Sequence, residues 1–204
     1  MKAKVLKLMV LLIISSTITS CNSNDNDTGF TPTLPPITQT GANTFGCYID
    51  GKLLVPRDGE GTIFGPDSGM IYYGISTGGF NDLVVHDYVS ETAGIVKIHF
   101  INLEENDVGE YILEESNCQW SSYANPTFNL HCRIWDEATQ ADKWYCSIEN
   151  SGILNITRNN NLNYMLSGTF YSTLVNRDDP NDFIEITQGR FDIHTPTLPS
   201  IVFP

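Results

Sequence analysis

From Thr44 onward apolar and polar residues alternate in short runs, and turn residues interrupt them every 8–12 positions. That spacing is the signature of an all-β chain, because a period of two places successive side chains on opposite faces of a strand. The predicted strands are Phe45–Ile49, Lys52–Val55, Met70–Ser76, Leu83–Tyr88, Ile95–Ile101, Glu110–Leu113, Thr127–Trp135, Lys143–Ile148, Ile153–Arg158, Tyr164–Val175 and Phe183–Ile193. Asp50-Gly51 joins the first two, and its residue types favour a two-residue turn with positive φ at both positions. Glu104–Asp107 and Asp136–Asp142 are the two places left for a short helical turn. The expected architecture is an antiparallel β-sandwich, with a partly open β-barrel as the alternative.

Alternation also assigns faces. Val96, Ile98 and Phe100 point one way, Lys97 and His99 the other. Phe128, Leu130, Cys132 and Ile134 share one face of their strand; Asn129, His131, Arg133 and Trp135 share the opposite one. In the next strand the pattern places Trp144, Cys146 and Ile148 on the apolar face. Phe183–Ile193 breaks its own period, since Ile184 and Ile186 are out of phase with Phe191 and Ile193. An extra residue at Gln188-Gly189 repairs the phase, so a β-bulge is expected there, with Gly supplying the unusual backbone angle.

Residues 1–20 do not belong to this pattern. Lys2, Lys4 and Lys7 precede the wholly apolar run Leu8–Ile14, and small and β-branched residues lead to Cys21. A basic head, a short apolar run and a small-residue exit describe a secretory signal. The run is far short of the roughly 20 residues that span a bilayer as a helix. Ile18-Thr19-Ser20-Cys21 resembles the lipobox of bacterial lipoproteins. The resemblance implies that Cys21 receives a diacylglyceryl group and that the chain is cut after Ser20. Asn22–Asn43 follows as a Pro-, Asn-, Asp- and Thr-rich segment with no period, expected to act as a flexible tether of roughly 25 Å. The organisation read from the chain is thus residues 1–20 signal peptide, 21–43 tether, 44–195 β domain and 196–204 a C-terminal tail.

The acidic, Asn-rich stretch Asn22–Asp27 after Cys21 resembles the surface-export signal of Bacteroidetes lipoproteins. Thr40-Gly41-Ala42-Asn43-Thr44-Phe45-Gly46-Cys47, running into Asp50-Gly51-Lys52, is similar to the opening of a family of small Bacteroidetes lipoproteins of unknown function. Gly189-Arg190-Phe191-Asp192-Ile193 resembles that family's closing strand. The resemblance implies a single β-rich domain on the outer membrane, facing the cell surface or, as the alternative, the periplasm. It implies no activity.

Charge narrows the partners. The chain carries 11 basic and 24 acidic residues, a net −13. Removing residues 1–20 takes three basic residues and no acid, leaving a net −16. No basic patch offers phosphate a site, so nucleic acid is excluded as a partner. The expected membrane contact is the lipid on Cys21 alone.

Four cysteines remain beyond Cys21, allowing three pairings in an exported chain. If the strands around Asp136–Asp142 form a hairpin in which Cys132 opposes Cys146, six apolar residues share one face. Cys132–Cys146 is therefore the expected bridge, with Cys47–Cys118 as the second; free buried thiols are the alternative.

Candidate chemistry is sparse. His86, His99, His131 and His194 lack metal-ligand spacing, and no metal or cofactor is expected. Asp178, Asp179 and Asp182 gather in a loop where carboxylates could hold Ca²⁺, though Asp-Pro-Asn is also ordinary turn chemistry. Gly65-Pro66-Asp67-Ser68-Gly69 places its Ser one position late for a nucleophile elbow. Trp120, Tyr123 and Trp135 carry polar neighbours and are the candidate ligand-binding residues, able to stack on sugars or grip a protein. The expected function is a non-enzymatic binding or envelope-interaction module. A glycan-binding accessory lipoprotein is the alternative, and a hydrolase with an unrecognised carboxylate pair carries less weight.

Overall fold

The computed structural model describes residues 30–63, 65–75, 80–90, 94–103, 108–119, 126–160 and 163–204. Cys21, Asn22–Asp27, Glu104–Asp107, Trp120 and Tyr123 lie outside the described residues. The chain divides into Met1–Phe30 and a unit spanning Thr31–Pro204, and the second is the β domain.

Among the described residues ten strands form one antiparallel sheet: β1 Thr44–Ile49, β2 Lys52–Leu54, β3 Met70–Ile75, β4 Phe80–His86, β5 Ile95–Ile101, β6 Gly109–Leu113, β7 Asn129–Asp136, β8 Ala141–Asn160, β9 Met165–Asn176 and β10 Asp179–His194. Their order is β2-β1-β10-β9-β8-β7-β5-β4-β3, with β6 paired to β8 off this path. Along one edge β8 keeps β9; along the other, β7 covers Ala141–Cys146 and β6 covers Gly152–Ile156. Between those stretches the β8–β9 register slips from Ser147↔Leu174 to Gly152↔Ser172. Such a slip is a bulge, the irregularity at which a strand can bend. The sheet consequently doubles over its own core without closing into a barrel. Phe100 of β5 meets Phe191 of β10 edge-on at 5.8 Å, although three strands lie between them in the sheet.

The expected turn and bulge are both present. Asp50 and Gly51 have φ 47° and 77°, and Ile49 pairs with Lys52 across them. In β10 the register slips between Ile186 and Gly189, and Ile184, Ile186, Phe191 and Ile193 all reach the core. The backbone angle, however, falls on Gln188, with φ 52°. Gly189 is needed for space instead, because a Cβ there would stand 2.6 Å from the Phe170 ring.

The β7–β8 register corrects the sequence reading by one residue. Cys132 pairs with Tyr145, and His131 with Cys146. Asp136 pairs with Ala141 across a four-residue turn, so Asp136–Asp142 is a hairpin end and not a helical turn. A one-residue slip reverses every side chain. Tyr145 and Ser147 are buried, while Trp144, Cys146 and Ile148 take the other face. The inward polar residue is satisfied: Ser147 Oγ donates to Glu114 O at 2.7 Å and accepts from Leu130 N at 3.1 Å.

The disulfide scheme changes with the register. Cys118 is bridged to Cys146, with Cα atoms 5.7 Å apart, whereas Cys47 and Cys132 are free thiols. Both free thiols belong to the apolar core, and burial raises their pKa values. Closing a loop of 28 residues stabilises the fold by about 3.5 kcal/mol in the chain-entropy model.

Two expected loose ends are docked. Thr31–Asn43, assigned to the flexible tether, lies as a strap on the outer face of β1, β9 and β10. Asp192, buried and facing outward from β10, accepts Thr38 Oγ1 at 2.6 Å, Thr40 N at 2.9 Å, Gly41 N at 2.8 Å and Ser167 Oγ at 2.7 Å. Arg158 and Arg190 donate to the strap carbonyls of Gln39 and Pro35. The 196–204 tail forms a 3-10 turn at Leu198–Ser200 and buries Leu198 and Phe203. Phe203 N donates to Asp58 Oδ2 at 2.9 Å. In both segments, contacts with residues far along the chain supply what local composition lacks.

Candidate functional site

The β1–β2 turn and the start of the β7–β8 hairpin flank a cleft of about 200 Å³. Ile49, Leu54, Ile134 and Ile184 supply its apolar lining; Asp50, Lys52, Trp135, Asp136, Lys143 and Tyr145 supply the polar and aromatic part. Trp135 is 42% exposed. Of the three aromatic residues singled out from the sequence, it is the one within the described residues, and it lines this cleft.

A network of fixed charge backs the cleft. Lys143 Nζ lies 3.3 Å from Asp136 Oδ2 and 3.3 Å from Asp182 Oδ2. Asp182 Oδ2 also accepts Tyr145 OH at 3.0 Å and Asn176 Nδ2 at 2.8 Å. The hydrogen bond from Asn176, then those from Tyr145 and Lys143, hold Asp182 below the usual carboxylate range. Asp136 is lowered mainly by Thr139 and the Ala138 amide. Burial first, then Asp182, pushes Tyr145 up to about 12. Hydrogen bonds to Asp182 and Asp136 raise Lys143. These four groups therefore keep one charge state through neutral pH. They can orient and hydrogen-bond a ligand but are poorly matched to proton transfer at neutral pH.

Lys143 brings Asp136 and Asp182 within about 7 Å of each other, a spacing that would suit a hydrolytic pair. Such a pair needs one carboxyl kept protonated by a raised pKa, and both are lowered. The three loop aspartates do not converge on a common point. Asp182 is engaged as above, Asp178 pairs with Arg177 at 3.1 Å, and Asp179 Oδ1 accepts Asn181 N. Among the described residues no group of three His, Cys, Asp or Glu is placed to hold a metal.

Beside the cleft, Trp144 lies between two guanidinium groups, 5.6 Å from Arg133 and 5.9 Å from Arg177. His131 meets its edge at 6.1 Å. Trp144 was assigned to the core by alternation; the flanking arginines give it an outward environment instead.

A second polar group sits on the outer face of β4, β5 and β7. Asp82 opposes His99, which opposes Asn129; Lys97 opposes His131. All five are buried. Lys97 Nζ is 2.9 Å from Asp82 Oδ2, and His99 Nδ1 is 2.6 Å from Asp82 Oδ1. His131 is lowered to about 3, by burial first and then by Lys97. His86, stacked on Tyr88, is lowered to about 4 by burial and Arg133, while His194 bonds Thr197. The alternation Ile-Val-Lys-Ile-His-Phe-Ile separates Lys97 and His99 from the apolar face of β5 but does not say that their own face is buried too. The overlooked signal is that a charged residue lies between apolar ones on both sides within a strand surrounded by strands.

Compared with protein families, curated proteins and solved structures, the chain matches none.

Proposed function

We propose that this chain is a lipid-anchored, non-enzymatic binding module, held at Cys21 on the outer membrane and displayed at the cell surface. The observation that carries the binding reading is the cleft at Trp135. An exposed indole, an apolar lining and polar groups of fixed charge are the parts of a recognition site. The lipobox-like Ile18-Thr19-Ser20-Cys21 and the acidic stretch after it support the anchored, exported setting. The two segments that carry the resemblance to small Bacteroidetes lipoproteins meet in the sheet. Phe45 pairs with Phe191 and Gly46 with Arg190, and Asp192 binds the Thr40-Gly41 backbone.

The second reading, a glycan-binding accessory role, draws on the same cleft. Trp135 offers a flat face to a sugar ring, while Asp136 and Lys143 offer acceptors and donors to hydroxyls. Glycan-array screening of the mature chain beside Trp135→Ala tests it. Binding by the parent that disappears in the variant supports the glycan reading. Equal binding by both places recognition elsewhere. No glycan binding, with capture of a surface protein through the cleft, leaves the protein-ligand form. Labelled palmitate that fails to enter the chain, or a domain that survives protease shaving of intact cells, would overturn the anchored, surface-displayed setting.

A further inference from the structure

We propose that Lys97 and Asp82 are the precursors of an intramolecular amide, a covalent tie between β5 and β4. The two side chains are 2% and 6% exposed, and their charged atoms lie 2.9 Å apart. Their residues sit diagonally on adjacent antiparallel strands, with Asp82 directly opposite His99 and Lys97 directly opposite Val84. A lysine held against a carboxylate in this way needs no diffusional encounter before it reacts with its neighbour. Leaving both as ions in a dry site costs solvation that their attraction returns only in part. Condensation removes both charges together.

The third component is His99. Its Nδ1 touches the other carboxylate oxygen of Asp82 at 2.6 Å, and the ring, 1% exposed, is stacked on Phe80 at 5.5 Å. The reaction balances without any co-reactant. Lys97 first gives one proton to the Asp82 carboxylate; the free amine then attacks Cγ, forming the Nζ–Cγ bond, and the Cγ–Oδ1 bond breaks. The ammonium gives up two protons, which leave with Oδ1 as water. One of them passes through the His99 ring, which ends in the protonation state in which it began. Asp82 Oδ2 remains as the amide carbonyl oxygen. His99 is thus a catalytic residue for this step, relaying a proton to the departing oxygen.

Tryptic mapping of the full chain, denatured and reduced, tests the proposal directly. No Lys or Arg lies between Arg57 and Lys97, or between Lys97 and Arg133. An acylated Lys97 is not cut by trypsin. The expected product is therefore one peptide, Asp58–Arg133, lighter than its sequence by one water. A second protease that cuts after aromatic residues should leave the Asp82 and Lys97 fragments joined. Recovery of Asp58–Lys97 and Ile98–Arg133 at full sequence mass from natively folded protein would overturn the proposal. So would water loss at a site other than these two residues. In Lys97→Arg the cut at position 97 and the full mass should both return. In folded His99→Gln the linked peptide should accumulate more slowly; linkage at the parent rate would remove His99 from the mechanism.

Discussion

The carboxylate of Asp192 accepts the backbone N–H of Gly41 at 2.8 Å, joining residues 151 positions apart. That bond turns the strap Thr31–Asn43 from a linker into part of the domain. Thr38, Thr40 and Ser167 complete the arrangement, so a buried carboxylate faces only donors. Asp192→Ala leaves those donors buried and unmet, an expected loss of about 2–4 kcal/mol in urea unfolding. The strap should then become the first site of proteolysis.

Asp192 also makes stability depend on acid. Burial alone would raise its pKa, but the hydrogen bonds from Thr38, Ser167, Thr40 and Gly41 outweigh it and hold the group at about 2. A carboxylate depressed in the folded state stabilises above its unfolded pKa of about 4, and this stabilisation is lost as pH falls from about 4 through 2. The contribution is about 2 kcal/mol. In Asp192→Asn the slope of stability across that interval should flatten; an unchanged slope would assign it to other carboxylates.

The Cys118–Cys146 bridge predicts a particular thiol inventory. In the folded domain Cys47 and Cys132 should resist alkylation until the protein unfolds, because burial raises both. Cys118→Ser with Cys146→Ser should lower unfolding free energy by about 3.5 kcal/mol in the chain-entropy model. A peptide joining Cys132 to Cys146 in non-reducing digests would refute the observed register.

Trp135→Ala should separate binding from folding. The indole is 42% exposed and belongs to the cleft rather than the core. Its removal should shift stability by about 1 kcal/mol or less while abolishing ligand capture. Ile134→Ala, next to it in β7 and packed on the core, should cost about 2–3 kcal/mol. Thermal unfolding of the two variants, run beside the binding assay, distinguishes a platform from a packing residue.

At the β10 bulge, Gln188 holds φ 52° without a glycine's freedom. Gln188→Gly should relieve about 1 kcal/mol of backbone cost, partly offset by the entropy glycine adds to the unfolded chain. A slightly raised or unchanged Tm is expected; a marked fall would mean that the Gln188 side chain makes a contact worth more than the strain.

Most strand positions, the Asp50-Gly51 turn and the need for an extra residue near Gln188 were legible in the sequence, because each is written in local periodicity or local backbone preference; Lys143–Ile148 and Ile153–Arg158, read as two strands, are one, β8. Trp135 was legible as a candidate for the same reason: an aromatic on the polar side of a strand stands out. Tertiary structure alone decided that Tyr145 and not Trp144 turns inward, that Cys146 meets Cys118, that Thr31–Asn43 is docked, and that Lys97 and Asp82 are buried together. A period of two says that faces alternate but not which face meets the core, and β5 is buried on both. The strap and the C-terminal segment owe their order to Asp192 and Asp58, partners about 150 residues away. No local pattern encodes a partner at that distance; it exists once the sheet has doubled over.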